Sequence, residues 1–304
     1  MEKLIALFIT LISLHSFAIA AEPPEKTQTR AEYSAYLDSL LEDQTTPTAN
    51  DRASSTNAFY QRSWGFWMAH LDSYHANPGA YQPVLQKYYQ LKDNYQLKNT
   101  FNPQIFEDVI ESYRRFDRRN TLPSNPFLFV GSSSIVYWET ARAFTALPVV
   151  NRGFGGASMK HLLHHYDDVI KPHNPKALVL YCDIDIETGE SPKVVIDLYK
   201  TLIAKVEQDF PKAHIVLLSM KPTLVDHLLG PHILRNKNTA NTRLKALSEE
   251  QDNRHFINVG DSLLQSNGRV NAEYFLPDGM HLNERGYQQW NPLVIRVLEQ
   301  LKEN

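Results

Sequence analysis

From residue 127 onward, short apolar runs alternate with stretches of helical periodicity, and this alternation restricts the possible folds more than any other feature of the chain. Residues 127–130, 148–150, 177–181, 214–218 and 256–259 read as strands, and 135–144, 159–170, 192–210, 239–250 and 284–301 as helices. Strands this uniformly apolar are covered on both faces, and strand–helix alternation brings them together in parallel. The expected fold is α/β: a three-layer α/β/α sandwich around a five-stranded parallel sheet. In such sheets ligands bind beyond the carboxyl ends of the strands, so residues that directly follow a strand are the first candidates for chemistry.

The chain ahead of this region has a different character. Lys3, the apolar run 4–14 and Ala18-Ile19-Ala20 have the layout of a secretory signal, so residues 1–20 are expected to be cleaved and the protein to be secreted or periplasmic, with no stable membrane insertion afterwards. Residues 21–57 are polar and read as a disordered linker, with a short helix near 33–41. Residues 58–104 read as a helical extension crowded with Tyr60, Trp64, Phe66, Trp67, Tyr74, Tyr81, Tyr88, Tyr89 and Tyr95. These rings suit either a stacking platform for sugars or apolar ligands, or burial as core; burial is the favoured reading. Residues 105–304 remain for the α/β domain.

Composition narrows the function classes. The 31 basic and 34 acidic residues give a formal charge of −3 with no basic run, which argues against a nucleic-acid partner. Cys182 is the sole cysteine, so no internal disulfide is possible, and its place after an apolar run reads as a buried small hydrophobe.

Three motifs follow strands. Phe-Leu-Phe-Val-Gly-Ser-Ser-Ser-Ile at 127–135 runs from a strand through Gly131 into serines at a helix start. Taken alone, a serine there reads first as an N-cap and second as a nucleophile held near free backbone N–H groups. Asn151-Arg152-Gly153-Phe154-Gly155-Gly156 exposes backbone N–H groups, as an oxyanion loop or a tight turn would. Asp278-Gly279-Met280-His281 precedes the last helix, with an aspartate placed to orient an imidazole that shuttles a proton.

Together the three blocks resemble the SGNH hydrolase superfamily, the GDSL-like lipases and esterases, in the branch with a Gly-Ser-Ser-Ser-Ile first block. The resemblance covers residues 105–304 and implies a flavodoxin-like SGNH fold. It implies Ser133 as nucleophile, His281 as base, Asp278 as its orienting carboxylate, and the Ser133 and Gly156 N–H groups as oxyanion hole, with no cofactor and no metal. Gly260-Asp261-Ser262-Leu263 spells the family motif literally, but it follows the last strand, where no elbow and following sheet could fit, and it reads as a chance string. One block departs from the family. The resemblance implies an asparagine after the third strand that donates to the oxyanion, and here Ile184 or Asp185 takes its place, depending on the alignment. Asn151 and Ser132 are candidate substitutes. His161 and His165 sit four apart near Asp168, a zinc-compatible spacing with no third ligand in sequence, so a solvated helix face is preferred.

The expected function is a serine esterase or acylhydrolase acting through an acyl-serine intermediate on a small-molecule, glycan or lipid ester. The missing asparagine keeps two alternatives open: a periplasmic binding protein for an acylated glycan or lipid with weakened catalysis, and an O-acyltransferase using the same triad.

Overall fold

A computed structural model describes residues 28–42, 49–95 and 101–303. The expected export signal at 1–20 lies outside the described residues. Five strands, β1 (Phe127–Gly131), β2 (Val149–Asn151), β3 (Ala177–Tyr181), β4 (His214–Leu218) and β5 (Arg254–Ile257), form one parallel sheet in the order β2-β1-β3-β4-β5. The three-layer fold expected from the sequence is therefore present. The strand order reverses between β1 and β3, so their carboxyl ends open the crevice in which doubly wound sheets bind ligands.

All side chains of β1 and β3 are buried, as their unbroken apolar sequences require. The helix Pro192–Asp209 shows how the covering layers are specified. Ser191 caps it by accepting from the Val194 N–H, and Pro192 occupies the first turn, where no N–H is needed. Its Val195, Tyr199, Leu202 and Val206 recur at helical spacing and enter the core that also holds Leu178 and Leu180. Each such aliphatic side chain contributes roughly 1.5–3 kcal/mol of burial free energy.

Several boundaries differ from expectation. β5 runs two residues earlier than read, over Arg254–Ile257. It is an edge strand, and Arg254 and His255 interrupt the apolar pattern while still pairing with Ile215 and Val216. Residues 135–144 break into helices Ser133–Val136 and Thr140–Ala143, and 159–170 into Met159–His164 and Tyr166–Val169. The helix expected over 239–250 begins at Ile233, because Asn236, Lys237 and Asn238 mask its first turns in the sequence.

The chain divides into two compact units, with Phe101 onward in the second. In the first, the short helix expected near 33–41 runs over Arg30–Glu42, with Tyr33 and Leu37 buried, and the helix Ala49–Ala69 crosses the expected boundary at 57. Phe66, Trp67, Tyr74, Tyr81 and Tyr88 are buried against one another. Tyr33 stacks on Phe66 at 4.0 Å between ring centroids, and Tyr74 meets Trp67 edge-on at 5.9 Å. These rings form a core rather than an exposed platform. Among the described residues, no helix is long and apolar enough to cross a membrane.

Candidate active site

β1 ends at Gly131 and the chain turns at once into the helix Ser133–Val136. A Cβ on Gly131 would lie 1.8 Å from the Tyr181 carbonyl oxygen and 2.9 Å from the Ile135 side chain, so only glycine fits. The Ser132 N–H donates to that same carbonyl at 3.2 Å. Ser133 is the first helical residue, so its N–H is one of those a helix leaves without an internal acceptor.

The glycine loop lies against this turn. A Cβ on Gly155 would approach the Ser133 Cβ to 3.8 Å, and Gly156 is left-handed at φ 81°. Asn151 holds the two segments together. Its Nδ2 donates to the carbonyls of Ile135 and Trp138 at 2.7 and 3.2 Å, and its Oδ1 accepts from the Gly153 N–H at 2.9 Å. Its amide hydrogens are thus engaged, which removes it as a substitute oxyanion donor. Ser132 is fully buried and makes no capping bond.

The third segment comes from the far end of the chain. His281 Nε2 lies 3.0 Å from Ser133 Oγ, and His281 Nδ1 lies 2.7 Å from Asp278 Oδ2. Asp278 Oδ1 accepts from the backbone N–H groups of Met280 and His281 at 2.8 and 2.9 Å, which fixes the carboxylate in one orientation. Burial alone would raise the Asp278 pKa, but the hydrogen bonds and charge of His281 and the two backbone N–H groups outweigh it and hold the value below the ordinary one. Gly279, at φ 66°, accepts at its carbonyl from the Leu224 N–H at 3.0 Å, so this loop leans on the turn after β4. Ser133, His281 and Asp278, scattered in sequence, meet in one hydrogen-bonded line. Such a line can deprotonate a serine hydroxyl and return the proton to a leaving group.

The segment after β3 carries no amide into this site. Ile184 is buried in the core, and Asp185 accepts from the Met159 N–H at 2.8 Å. The segment instead opens a buried ionic network that the sequence reading missed. Lys237 is fully buried, with Nζ 2.7 Å from Glu187, 2.8 Å from Asp226 and 3.9 Å from Asp183. Lys221, also buried, reaches Ser134 Oγ at 3.1 Å, the Tyr181 hydroxyl at 3.3 Å and Asp183 at 3.5 Å, and the Tyr181 hydroxyl donates to Asp183. Two sequence signals mark these lysines. Lys237 falls on the stripe Ile233, Lys237, Ala240, Leu244, Leu247 that a core-facing helix presents. Lys221 follows an apolar strand at the carboxyl edge of the sheet.

The remaining motifs lie elsewhere. Ser262 of the literal Gly-Asp-Ser string sits in a turn after β5 and donates to the Val259 carbonyl at 2.7 Å. His161 Nδ1 accepts from the Ser158 N–H at 3.1 Å, and His165 Nε2 meets the Pro103 carbonyl at 3.2 Å, so the two rings serve different partners. Burial lowers the His161 pKa to about 4, and burial with the nearby Arg152 charge does the same for His173. A histidine with a depressed folded value binds its proton only in the unfolded chain between pH 6.5 and 4. Each therefore stabilises the fold above 6.5 and ceases to do so as pH falls toward 4, with a slope of at most about 1.4 kcal/mol per pH unit. Urea midpoints measured between pH 7 and 4.5 should fall, and a flat series would contradict the buried neutral rings.

The GDSL-like lipase/acylhydrolase family model matches residues 133–289, more than half of the chain. The chain belongs to that family. This places it among the carboxylic ester hydrolases. The match opens on Ser133 and takes in the glycine loop and the Asp278–His281 segment. Solved structures share the acylhydrolase's fold. One, from Streptococcus pneumonia and described by the name platelet activating factor, is 24% identical, covers 69% of this chain and 97% of its own, and has a TM-score of 0.58. A GDSL-like lipase from Bacteroides thetaiotaomicron is 16% identical, covers 63% of this chain and 97% of its own, and has a TM-score of 0.56. A search of curated proteins finds no match.

Proposed function

We propose that this acylhydrolase cleaves carboxylic esters through an acyl-Ser133 intermediate. One observation carries the reading: the continuous Ser133–His281–Asp278 line, with separations of 3.0 and 2.7 Å. Ser133 Oγ attacks the ester carbonyl while His281 Nε2 takes its proton. The Ser133 and Gly156 N–H groups hold the oxyanion. The tetrahedral species collapses, the C–O bond to the alcohol breaks, and His281 returns the proton to the leaving oxygen. Water then attacks the acyl-enzyme with His281 as base, which releases the acid and restores Ser133.

Because His281 must reach the leaving oxygen, the alcohol departs on its side. The Tyr137 ring lies 4.9 Å from the imidazole and borders a cavity of about 360 Å³. Trp138 and Tyr287 alternate there with Glu139, Arg142, Glu284 and Gln288. Leu276 and Leu282 also line the walls, and the charged and amide groups offer a hydroxyl-bearing alcohol several hydrogen-bond partners, more than a plain alkyl chain would use. An acylated carbohydrate is thus the favoured substrate, and the export signal read at 1–20 would place the enzyme where such glycans are met.

The test is Ser133→Ala against a panel of acetylated sugars, long-chain alcohol esters and chromogenic esters. Hydrolysis should fall by about 10⁴-fold or more, because a triad without its nucleophile retains only binding and oxyanion effects. Unchanged hydrolysis in pure protein would end the proposal. The lack of a side-chain donor at Ile184 and Asp185 favours, as a second reading, a binding protein with residual catalysis. Stoichiometric labelling of Ser133 by a fluorophosphonate would count against it.

A further inference from the structure

The segment after β3 supplies no side-chain donor, and Asn151 is engaged with Ile135, Trp138 and Gly153. The nucleophile therefore depends on how rigidly its own turn is held. Ser134, the next residue, is gripped twice: the Tyr287 hydroxyl donates to its carbonyl at 2.8 Å, and Lys221 Nζ donates to its Oγ at 3.1 Å. Lys221 is 2% exposed, and Asp183 holds its ammonium from the other side at 3.5 Å. A buried ammonium is costly unless fully partnered, and Ser134 Oγ, the Tyr181 hydroxyl and Asp183 together face its three N–H groups. Lys221 also donates its N–H to the Tyr181 hydroxyl at 3.3 Å, while the Tyr181 carbonyl accepts from Ser132. The lysine thus touches both flanks of Ser133: Ser134 directly, and Ser132 through Tyr181.

We propose that Lys221 is a positioning residue for catalysis, aligning the Ser133 turn through Ser134 and offsetting the absent donor after β3. This rests on the hydrolase reading above. The ammonium anchors the second residue of the helix, so the Ser133 N–H and Oγ keep one orientation toward the oxyanion and His281. A displacement of about 1 Å at a reacting atom costs on the order of 100-fold in rate, so a fixed turn has a kinetic value apart from its value to folding.

The experiment separates those two values on the full chain. Lys221→Met leaves Asp183 buried with only the Tyr181 hydroxyl and the more distant Lys237 and can fail to fold, so it is paired with Lys221→Met/Asp183→Asn, which removes both charges, and with Ser134→Ala, which removes the link and leaves the charges. Active sites are counted by the end point of fluorophosphonate labelling, and kcat per active site, KM, the labelling rate and the melting temperature are measured. We expect kcat per active site and the labelling rate to fall together, by about 10-fold in Ser134→Ala and about 10- to 100-fold in the double variant, with KM within about twofold. A lysine serving the fold alone would lower the melting temperature and the number of active sites but not the rate at each. A rate per active site within about twofold of the parent, in either Ser134→Ala or a folded double variant, would overturn the proposal. A parent chain that neither hydrolyses p-nitrophenyl acetate nor takes the fluorophosphonate on Ser133 would overturn the hydrolase reading itself, and this one with it.

Discussion

Asp278→Asn should lower kcat by about 10⁴-fold while leaving the chain folded, because it reverses the tautomer of the proposed base. Asp278 Oδ1 accepts from two backbone N–H groups, so the asparagine must place its carbonyl oxygen there. Its amide nitrogen then faces His281 Nδ1, where Oδ2 now lies at 2.7 Å. An N–H donor in that place requires an unprotonated Nδ1, which moves the ring proton to Nε2 and aims it at Ser133 Oγ. The imidazole can no longer accept the serine proton. The volume and the backbone contacts are conserved, so the melting temperature is the control. A kcat within tenfold of the parent would remove Asp278 from the proposed mechanism.

Lys237→Met should destabilise the protein by about 3–5 kcal/mol, the cost of leaving buried carboxylates without their cation. Lys237 is fully buried, with Glu187 and Asp226 within 2.8 Å and the Lys221 carbonyl at 3.2 Å. Burial opposes its charge, but Asp226, Glu187 and Asp183 outweigh that and raise its pKa above the ordinary 10.5. A lysine raised in this way stabilises the fold fully below 10.5 and loses the contribution only as pH climbs through the folded value, so the loss should be complete at neutral pH. Asp226 also accepts from the Thr223 N–H and hydroxyl at 3.0 and 2.7 Å, bracing the turn whose Leu224 N–H holds Gly279. The damage should therefore reach the His281 loop, and activity should fall before the global transition in a urea titration. A stability loss under about 1 kcal/mol would show that the acids take up protons at little cost.

The sheet was readable because buried parallel strands leave no room for polar residues. β1 and β3 appear in the sequence as unbroken apolar runs and β4 as one after His214, whereas the edge strand β5 was misplaced where Arg254 and His255 interrupt the pattern. Ser133, Asp278 and His281 were singled out for another reason: each lies in a glycine-containing block, and the three blocks in that order resemble the SGNH hydrolases. The ionic network was not readable, because a lysine within a polar stretch looks solvent-facing until the opposite side of its helix is seen to be covered. Its carboxylates come from two segments, Asp183 and Glu187 after β3 and Asp226 after β4, and no local pattern links these to Lys221 and Lys237. The aromatic extension allowed platform or core, with core the favoured reading, and the packing of Phe66, Trp67 and Tyr88 is that of a core.

The bridge made by Asn151 has a dynamic consequence. By binding the Ile135 and Trp138 carbonyls and the Gly153 N–H together, it joins the nucleophile turn and the glycine loop into one piece. When the sheet edge fluctuates, both travel as a unit, so the spacing from Ser133 to the loop's amides varies little. His281 rides on a different segment, braced through Leu224 and Gly279. A shift at the sheet edge should therefore alter the Ser133–His281 separation, across which the proposed proton transfer runs, before it alters the spacing of the proposed oxyanion donors.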